Sequence, residues 1–294
     1  MMMTSDDRAT AFRRLHQPEA GAILVLPNAW DALSARVIEQ AGARAVATTS
    51  AGVSWALGRP DGQGVTRREM VEAVRRVVRA VRVPVSADIE SGYGTGTPDE
   101  VAETVRGVLD AGAVGINLED APGRKGQPLL APEEQQARIA AARGAAGGAA
   151  PYINARVDVY LRQVGPEAGR FDETVRRARA YSAAGADGVF VPGVGDAATI
   201  GRLAAAIGAP LNVMARPGAP SVGELARLGV ARVSVGPAIT LSVMAAIRRA
   251  AAELLEGGTY EAMADGMSFA DANGLFASGG SEAAAATPAR ASAR

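Results

Sequence analysis

One punctuation mark recurs along the chain and fixes its architecture. Ala41-Gly42-Ala43, Ala111-Gly112-Ala113, Ala184-Gly185-Ala186 and Leu228-Gly229-Val230 each close an Ala/Arg/Glu-rich helical stretch and open a short apolar run. Glycine there suits the left-handed backbone that ends a helix. A second kind of strand entrance alternates with it: Val83-Pro84-Val85, Ala150-Pro151-Tyr152 and Ala209-Pro210-Leu211. Proline is tolerated at the first residue of a strand, where its missing donor matters least. With the opening run Ile23-Leu24-Val25-Leu26 this predicts strands at 23–26, 45–49, 84–88, 114–119, 151–155, 187–191, 211–214 and 232–236. Their spacing is about 30 residues, the size of one strand–helix unit.

Eight such units predict an α/β chain forming a single closed (β/α)₈ barrel of the TIM type. A doubly wound open sheet is the alternative. Its dinucleotide-binding form is weakened because no Gly-x-Gly-x-x-Gly follows the first strand. Extra helices are expected over about 239–256 and, shorter, within Thr259 to Phe276. Gly144 to Ala150 reads as a flexible connection. The Ala/Ser/Gly/Pro stretch from Ala277 to Arg294 lacks a periodic apolar pattern and reads as a disordered tail. The expected organisation is one domain, residues 1–276, followed by the tail 277–294.

Composition removes several mechanisms. There is no cysteine, which excludes thiol nucleophiles, iron–sulfur clusters and cysteine zinc sites. The only histidine, His16, precedes the first strand, so neither a Ser-His-Asp triad nor a histidine-ligated zinc is expected. Lys125 is the only lysine and sits in a loop rather than at a strand end, against a Schiff-base mechanism. Charges balance at 31 basic and 31 acidic residues, which favours neither nucleic acid nor anionic membrane as a partner. The N-terminus lacks the apolar core of a secretory signal, and no apolar run approaches the roughly 20 residues that span a bilayer. A cytoplasmic location is expected.

In such a barrel the C-terminal strand ends carry the active site. Here those ends are crowded with polar residues. Asp88-Ile89-Glu90-Ser91-Gly92-Tyr93-Gly94 ends the third strand and Glu119-Asp120 ends the fourth. Residues two apart on a strand share a face, so Asp88 and Glu90 are expected to project together. Two carboxylates about 4–5 Å apart repel by roughly 3–4 kcal/mol at an effective dielectric near 20, so such a set calls for a proton or a cation. Asp88, Glu90 and Glu119 are hard oxygen ligands, suited to Mg²⁺ or Mn²⁺. Arg156, ending the fifth strand, offers a fork of donors to a carboxylate or an enolate. Ser50-Ala51-Gly52 can bring backbone N–H groups to an anionic oxygen. Asp61, on the loop after strand two, is within reach of the same mouth. Asn212, Met214 and Arg216 are candidates for setting the substrate. Asp120 and Asp31 also read as helix N-caps, and Arg156 as a counter-ion to Asp158 or Glu119.

Pro27-Asn28-Ala29-Trp30-Asp31, the Gly58 to Asp61 loop, the Asp88 to Gly94 motif, Asn117-Leu118-Glu119-Asp120 and Asn154-Ala155-Arg156 together resemble the isocitrate lyase/phosphoenolpyruvate mutase superfamily. The resemblance runs in order from about residue 20 to 275. It implies a (β/α)₈ barrel, Mg²⁺, and small 2-oxo or 2-hydroxy acids passing through a pyruvate-like enolate. It implies metal roles, direct or through water, for Asp88, Glu90 and Glu119, and a substrate-facing role for Arg156. It implies carboxylate and enolate binding by Ser50, Ala51 and Gly52, and a loop acid at Asp61. It also implies a homodimer or homotetramer with an exchanged C-terminal helix, for which 259–276 is the candidate.

Departures from the pattern bear on the reaction. The Cys-bearing loop of isocitrate and methylisocitrate lyases is replaced by Ala121-Pro122-Gly123-Arg124-Lys125-Gly126-Gln127, and the gate asparagine of the phosphonate-forming mutases has no counterpart. Glu90 stands where the family commonly has Asp. The reading is a Mg²⁺-dependent lyase cleaving a C–C bond of a small 2-oxo or 2-hydroxy (di)carboxylic acid, with decarboxylation of an oxaloacetate-like acid the leading case. Tyr93 or a metal-bound water returns the proton, and Lys125 and Arg124 close the gate. A P–C bond hydrolase or mutase is the alternative enzyme, and a catalytically silent dicarboxylate-binding barrel the alternative class.

Overall fold

The computed structural model describes residues 5–17, 22–123, 126–145 and 151–277. The expected tail, apart from Ala277, and most of the Gly144 to Ala150 connection lie outside these residues. So do Arg124 and Lys125.

The strands are β1 (Leu24–Leu26), β2 (Asn28–Ala29), β3 (Val46–Thr48), β4 (Val85–Asp88), β5 (Gly115–Glu119), β6 (Tyr152–Arg156), β7 (Gly188–Val191), β8 (Leu211–Met214) and β9 (Arg232–Ser234). All pairings are parallel, in the order β1-β9-β8-β7-β6-β5-β4-β3-β2. β1 and β2 are two halves of one stave, divided at Pro27, which has no N–H to give. The first half pairs with β9 and the second with β3, while the Pro27 carbonyl accepts the Ala47 N–H at 3.0 Å. The sheet therefore closes, and the eight expected strands form a (β/α)₈ barrel.

The α-helices are α1 (Ser5–Leu15), α2 (Ala32–Gln40), α3 (Ser50–Ala56), α4 (Arg67–Ala80), α5 (Pro98–Asp110), α6 (Pro132–Gly144), α7 (Glu167–Ala183), α8 (Ala197–Ile207), α9 (Val222–Arg227), α10 (Ala238–Ala252), which runs on into a π-helical turn at Glu253–Gly257, and α11 (Phe269–Ala277). The glycines of the four recurring cassettes have φ of +97°, +96°, +110° and +84° at Gly42, Gly112, Gly185 and Gly229, the left-handed stops expected there. Starts are equally local: Thr66 with Glu69, Thr97 with Glu100 and Ser221 with Glu224 form capping boxes on α4, α5 and α9.

Strand alternation sorts the interior. Ile116, Leu118, Ile153, Ala155, Val189, Val191, Leu211, Val213 and Val233 are buried in the apolar layer between sheet and helices. The residues between them, including Asn117, Glu119, Asn154, Arg156, Asn212 and Arg232, belong to the opposite face and fill the barrel. At the N-terminal end α1 closes the barrel, with Phe12 packed among Leu24, Leu26, Ala47, Val114 and Tyr152. Asp187 ties this end together, bonding Arg13 of α1 at 2.6 Å, Arg143 of α6, and the Ile153 N–H at 2.8 Å. Among the described residues no helix is long and apolar enough to cross a membrane.

The C-terminal region departs from a plain barrel. Thr240 is the only buried residue of α10, and Leu241, Met244 and Ile247 are exposed. The chain then turns over the Glu253 carboxylate, which accepts from Thr259 and from the Glu261 and Ala262 N–H groups. The stretch expected as one short helix is a 3₁₀ turn, Glu261–Met263, followed by α11. Leu275 of α11 is buried, and Arg36 of α2 donates to its carbonyl at 2.9 Å.

His16, at the end of α1, is a structural residue of the closed end. Its ring stacks on Tyr152 at 3.7 Å, and Nδ1 donates to the Phe12 carbonyl at 2.8 Å. Burial, helped by the Arg232 charge, holds its pKa down at about 3 against an ordinary 6.5. Between those values the unfolded chain binds a proton that the folded chain refuses, so stability falls as pH drops through that window. Denaturant titrations at pH 7 and pH 4 should show a smaller loss for His16→Phe than for the wild type, by about 2–3 kcal/mol. Equal losses would show that the ring is not held neutral.

Candidate active site

The third and fourth staves end as expected, in acids, but the acids part company. Asp88 is the last residue of β4. One of its oxygens accepts the Ser50 N–H at 3.2 Å and the other the Glu90 N–H at 3.3 Å, while its own N–H donates to Thr48 Oγ1 at 2.8 Å. No arginine or lysine among the described residues makes an ion pair with it. Burial raises its pKa, with Arg156 and the Ser50 donors pulling the other way.

Glu90 does not share the Asp88 face. The strand has already ended, and Glu90 and Tyr93 have φ of +49° and +62°, left-handed backbone that non-glycine residues seldom adopt. Strand alternation therefore no longer applies. The Glu90 carboxylate turns to the loop after strand two, accepting the Gln63 N–H at 2.5 Å and the Tyr93 hydroxyl at 2.9 Å. Burial, then the Asp88 charge, pushes its pKa up to about 7. Burial and the Glu90 charge also push the Tyr93 hydroxyl up.

Glu119, at the end of β5, lies in register with Arg156 on β6 and accepts from its Nη1 at 2.7 Å. The rest of the guanidinium is gripped by Asp158, Nε to Oδ1 at 2.6 Å and Nη2 to Oδ2 at 2.9 Å, and it lies 5.8 Å from the Phe190 ring centre. Burial works against the Arg156 charge, but the two carboxylates more than offset it and its pKa rises. For Glu119, burial together with Asp158, Asp88 and Glu90 outweighs Arg156, and its pKa rises too. Both counter-ion readings of Arg156 hold, and hold together.

Asp120 heads no helix; α6 starts only at Pro132. It is fully buried behind the rim, where Oδ1 accepts the Asp158 N–H at 2.9 Å and Oδ2 accepts Tyr181 at 2.8 Å and Arg177 at 3.1 Å. Burial lifts its pKa to about 6. It anchors the segment that holds Arg156. Asp31, by contrast, is the N-cap of α2 and accepts the Ser34 N–H at 2.7 Å.

Ser50, Ala51 and Gly52 are not an open turn but the buried first turn of α3, whose N-cap Thr49 makes no side-chain cap bond. The Asp88 carboxylate takes that role for the Ser50 N–H. A Cβ at Gly52 would lie 2.8 Å from Thr240, Thr49 and Trp30 atoms, so this glycine serves close packing. Asp61 is exposed on its loop, near enough for its charge to raise the pKa of Glu90 and Tyr93. Asn212 is buried beneath the mouth rather than lining it: its Oδ1 accepts from Asn154 at 3.1 Å and its Nδ2 lies 3.2 Å from Ser234 Oγ. Arg216 is exposed and runs along Gly195. Lys125 lies outside the described residues.

No three acidic or histidine side chains among the described residues form a ready metal cage. Glu119 is turned to Arg156 and Glu90 to Tyr93 and Gln63, which leaves Asp88 as the acid at the mouth without an arginine partner. The donors are hard oxygens, and burial raises the pKa of all three acids, a local excess of negative charge that a cation relieves. The donor chemistry of the set suits a hard divalent cation such as Mg²⁺. Sequence reasoning missed Gln63, whose contact with Glu90 follows only from the loop fold. It also missed the interior polar layer, although Asn117-x-Glu119, Asn154-x-Arg156 and Arg232-x-Ser234 carry its period of two.

The chain is similar to known proteins over most of its length. A family model described as phosphoenolpyruvate phosphomutase matches residues 12–255. The oxaloacetate decarboxylase of Rhodopseudomonas palustris is 31% identical over 240 residues, 78% of this chain and 77% of the relative. A lyase/mutase-type structure from Burkholderia cenocepacia J2315 has 40% identity and a TM-score of 0.85, covering 93% of this chain and 96% of that one. A phosphonopyruvate hydrolase in complex with oxalate and Mg²⁺ has 26% identity and a TM-score of 0.81, covering 93% and 95%. The chain is an enzyme of the isocitrate lyase/phosphoenolpyruvate mutase superfamily.

Proposed function

We propose that the protein is a Mg²⁺-dependent lyase that breaks a C–C bond of a small 2-oxo or 2-hydroxy acid, with an oxaloacetate-like β-oxo acid as the leading substrate. The observation that carries this is Asp88, which has no ion-pair partner among the described residues and is set between the first turn of α3 and the Arg156 clamp. Asp88 would hold the ion directly, with Glu90 and Glu119 behind water; bound there, Mg²⁺ supplies Lewis acidity toward a chelating carboxylate and 2-oxo oxygen.

The chain's own groups account for the rest. Arg156, fixed on two sides by Glu119 and Asp158, faces the mouth as a pre-set cation for the substrate carboxylate and for negative charge developing on the enolate. With the Ser50 N–H held by Asp88, the Ala51 and Gly52 N–H groups of the α3 first turn would be the donors at the same place. In a β-oxo acid the C3–C4 bond breaks, its electron pair becomes the enolate, and CO₂ departs. The enolate carbon then takes a proton from Tyr93 Oη, which Glu90 holds at 2.9 Å. The absence of cysteine suits this reaction, because decarboxylation needs an electron sink rather than a thiol acid or base.

Pyruvate release from oxaloacetate, corrected for release by free Mg²⁺, is the test. Asp88→Ala should lower kcat/KM by about 10²-fold or more. Arg156→Lys, which keeps the charge and loses the fork, should lower it by about 10–10²-fold. If neither oxaloacetate nor any related C4 or C5 acid is turned over, the lyase reading fails. Likeness to the phosphonopyruvate hydrolase supports the second reading, P–C bond cleavage; phosphate released from phosphonopyruvate, dependent on Asp61, would put it first. Mg²⁺-dependent oxalate binding without turnover of any acid would leave a silent binding barrel.

The same reading includes a homo-oligomer, dimer or tetramer. Its support is the apolar face of α10, with Leu241, Met244 and Ile247 at 49%, 49% and 63% exposure, continued by Leu254, Leu255, Tyr260, Met263 and Phe269. In light scattering the wild type should exceed the monomer mass, and Ile247→Glu should reduce it toward the monomer. An unchanged mass for the variant would place the interface elsewhere.

A further inference from the structure

Arg232 is the largest fully buried side chain in the barrel, and nothing in the reaction proposed above uses it. It stands on β9 in register with Asn212, and its side chain enters the interior. Nη2 donates to Asn117 Oδ1 at 3.2 Å, while Nε and Nη1 have no hydrogen-bond partner among the described residues. None of the ion pairs found among the described residues involves it. Asn117 is also the residue in register with Asp88, and its Oδ1 accepts a second bond from Asn154 at 2.9 Å. Arg232, Asn117, Asn154 and Asn212 thus form a polar layer across the barrel. Glu119, Arg156 and Met214 stand two residues further along the same strands, directly toward the mouth.

An interior guanidinium without a carboxylate is costly, and a shape-matched apolar residue in its place is commonly neutral or stabilising. Burial accordingly lowers the pKa of Arg232 to about 10, yet the group stays charged at neutrality. Its field reaches both ends of the barrel, His16 at the closed end and Asp88 at the open end. A charge kept at a cost to stability, bonded to the residue in register with Asp88 and one polar layer below Glu119, points to function.

We propose that Arg232 is the electrostatic floor of the active site, a positioning residue whose fixed positive charge favours the anionic substrate and moderates the hold of the mouth on its cation. The inference rests on the Mg²⁺ site proposed above. Coulomb's law then requires opposite shifts for the two ligands when the charge is removed. A residue that merely kept the strands in place would, when replaced, weaken both.

The experiment uses the full chain and three readouts on Arg232→Met and Arg232→Lys. Calorimetric titration with Mn²⁺ alone should show Arg232→Met binding the ion about three- to tenfold more tightly than the wild type. Oxalate titrated at saturating Mg²⁺ should bind the same variant about three- to tenfold more weakly. Arg232→Lys, which keeps the charge, should stay within about twofold of the wild type for both ligands. Thermal unfolding without metal should leave Arg232→Met at least as stable as the wild type. Weakening of both ligands, or a clear loss of thermal stability, would make Arg232 structural and overturn the proposal. Unchanged binding of both would overturn it as well. A wild type that binds neither Mn²⁺ nor oxalate would instead overturn the metal-site reading, and this inference with it.

Discussion

The Arg156 guanidinium is shared between two carboxylates, and the arrangement of the mouth follows from that division. Glu119 takes one edge and Asp158 the other, and Asp158 has Arg162 as a second, longer partner at 3.7 Å. Asp88 has no such partner among the described residues. Glu90 satisfies its oxygens with a backbone N–H and a phenol rather than a cation. Raised carboxyl pKa values at the mouth express the same imbalance: burial removes water, and the acids press on one another. The proposed divalent ion would correct it without disturbing the arginine clamp.

That clamp is anchored from behind. Asp158 receives its orientation from Asp120, and Asp120 from Tyr181 and Arg177 on α7. A chain of buried charge-assisted hydrogen bonds therefore leads from an outer helix to Arg156. Such bonds are roughly twice as strong as neutral ones, and each group's remaining capacity is used by the next. The mouth is consequently preorganised at Arg156 and adaptable at the Asp61 and Gln63 loop, where exposure is greater.

Much of this was legible in the sequence, for identifiable reasons. Strand boundaries and closure were readable because Gly42, Gly112, Gly185 and Gly229 stop helices by local backbone preference. The acids at 88 and 119 were readable because strand ends of a barrel face its mouth. Glu90 was misplaced because a period-two argument assumes that the strand continues, and the positive φ at 90 belongs to a tertiary fold of the loop that the residue type does not announce. Ser50 to Gly52 looked like a turn because small residues serve both turns and tightly packed helix starts. Asn212 was set at the rim by its position near a strand end, whereas its carboxamide is held in the layer below. Arg232 carried only its period of two with Ser234; which face of that strand turns inward shows only once the barrel closes.

The account turns on an ion at Asp88. Crystals grown with Mn²⁺ and oxalate, measured near the manganese absorption edge, test this most directly. The predicted result is one anomalous peak at the mouth, in direct ligand distance of an Asp88 oxygen, with oxalate completing its shell and Arg156 still bound to Glu119 and Asp158. A mouth without anomalous density, or a peak away from Asp88, would contradict the account.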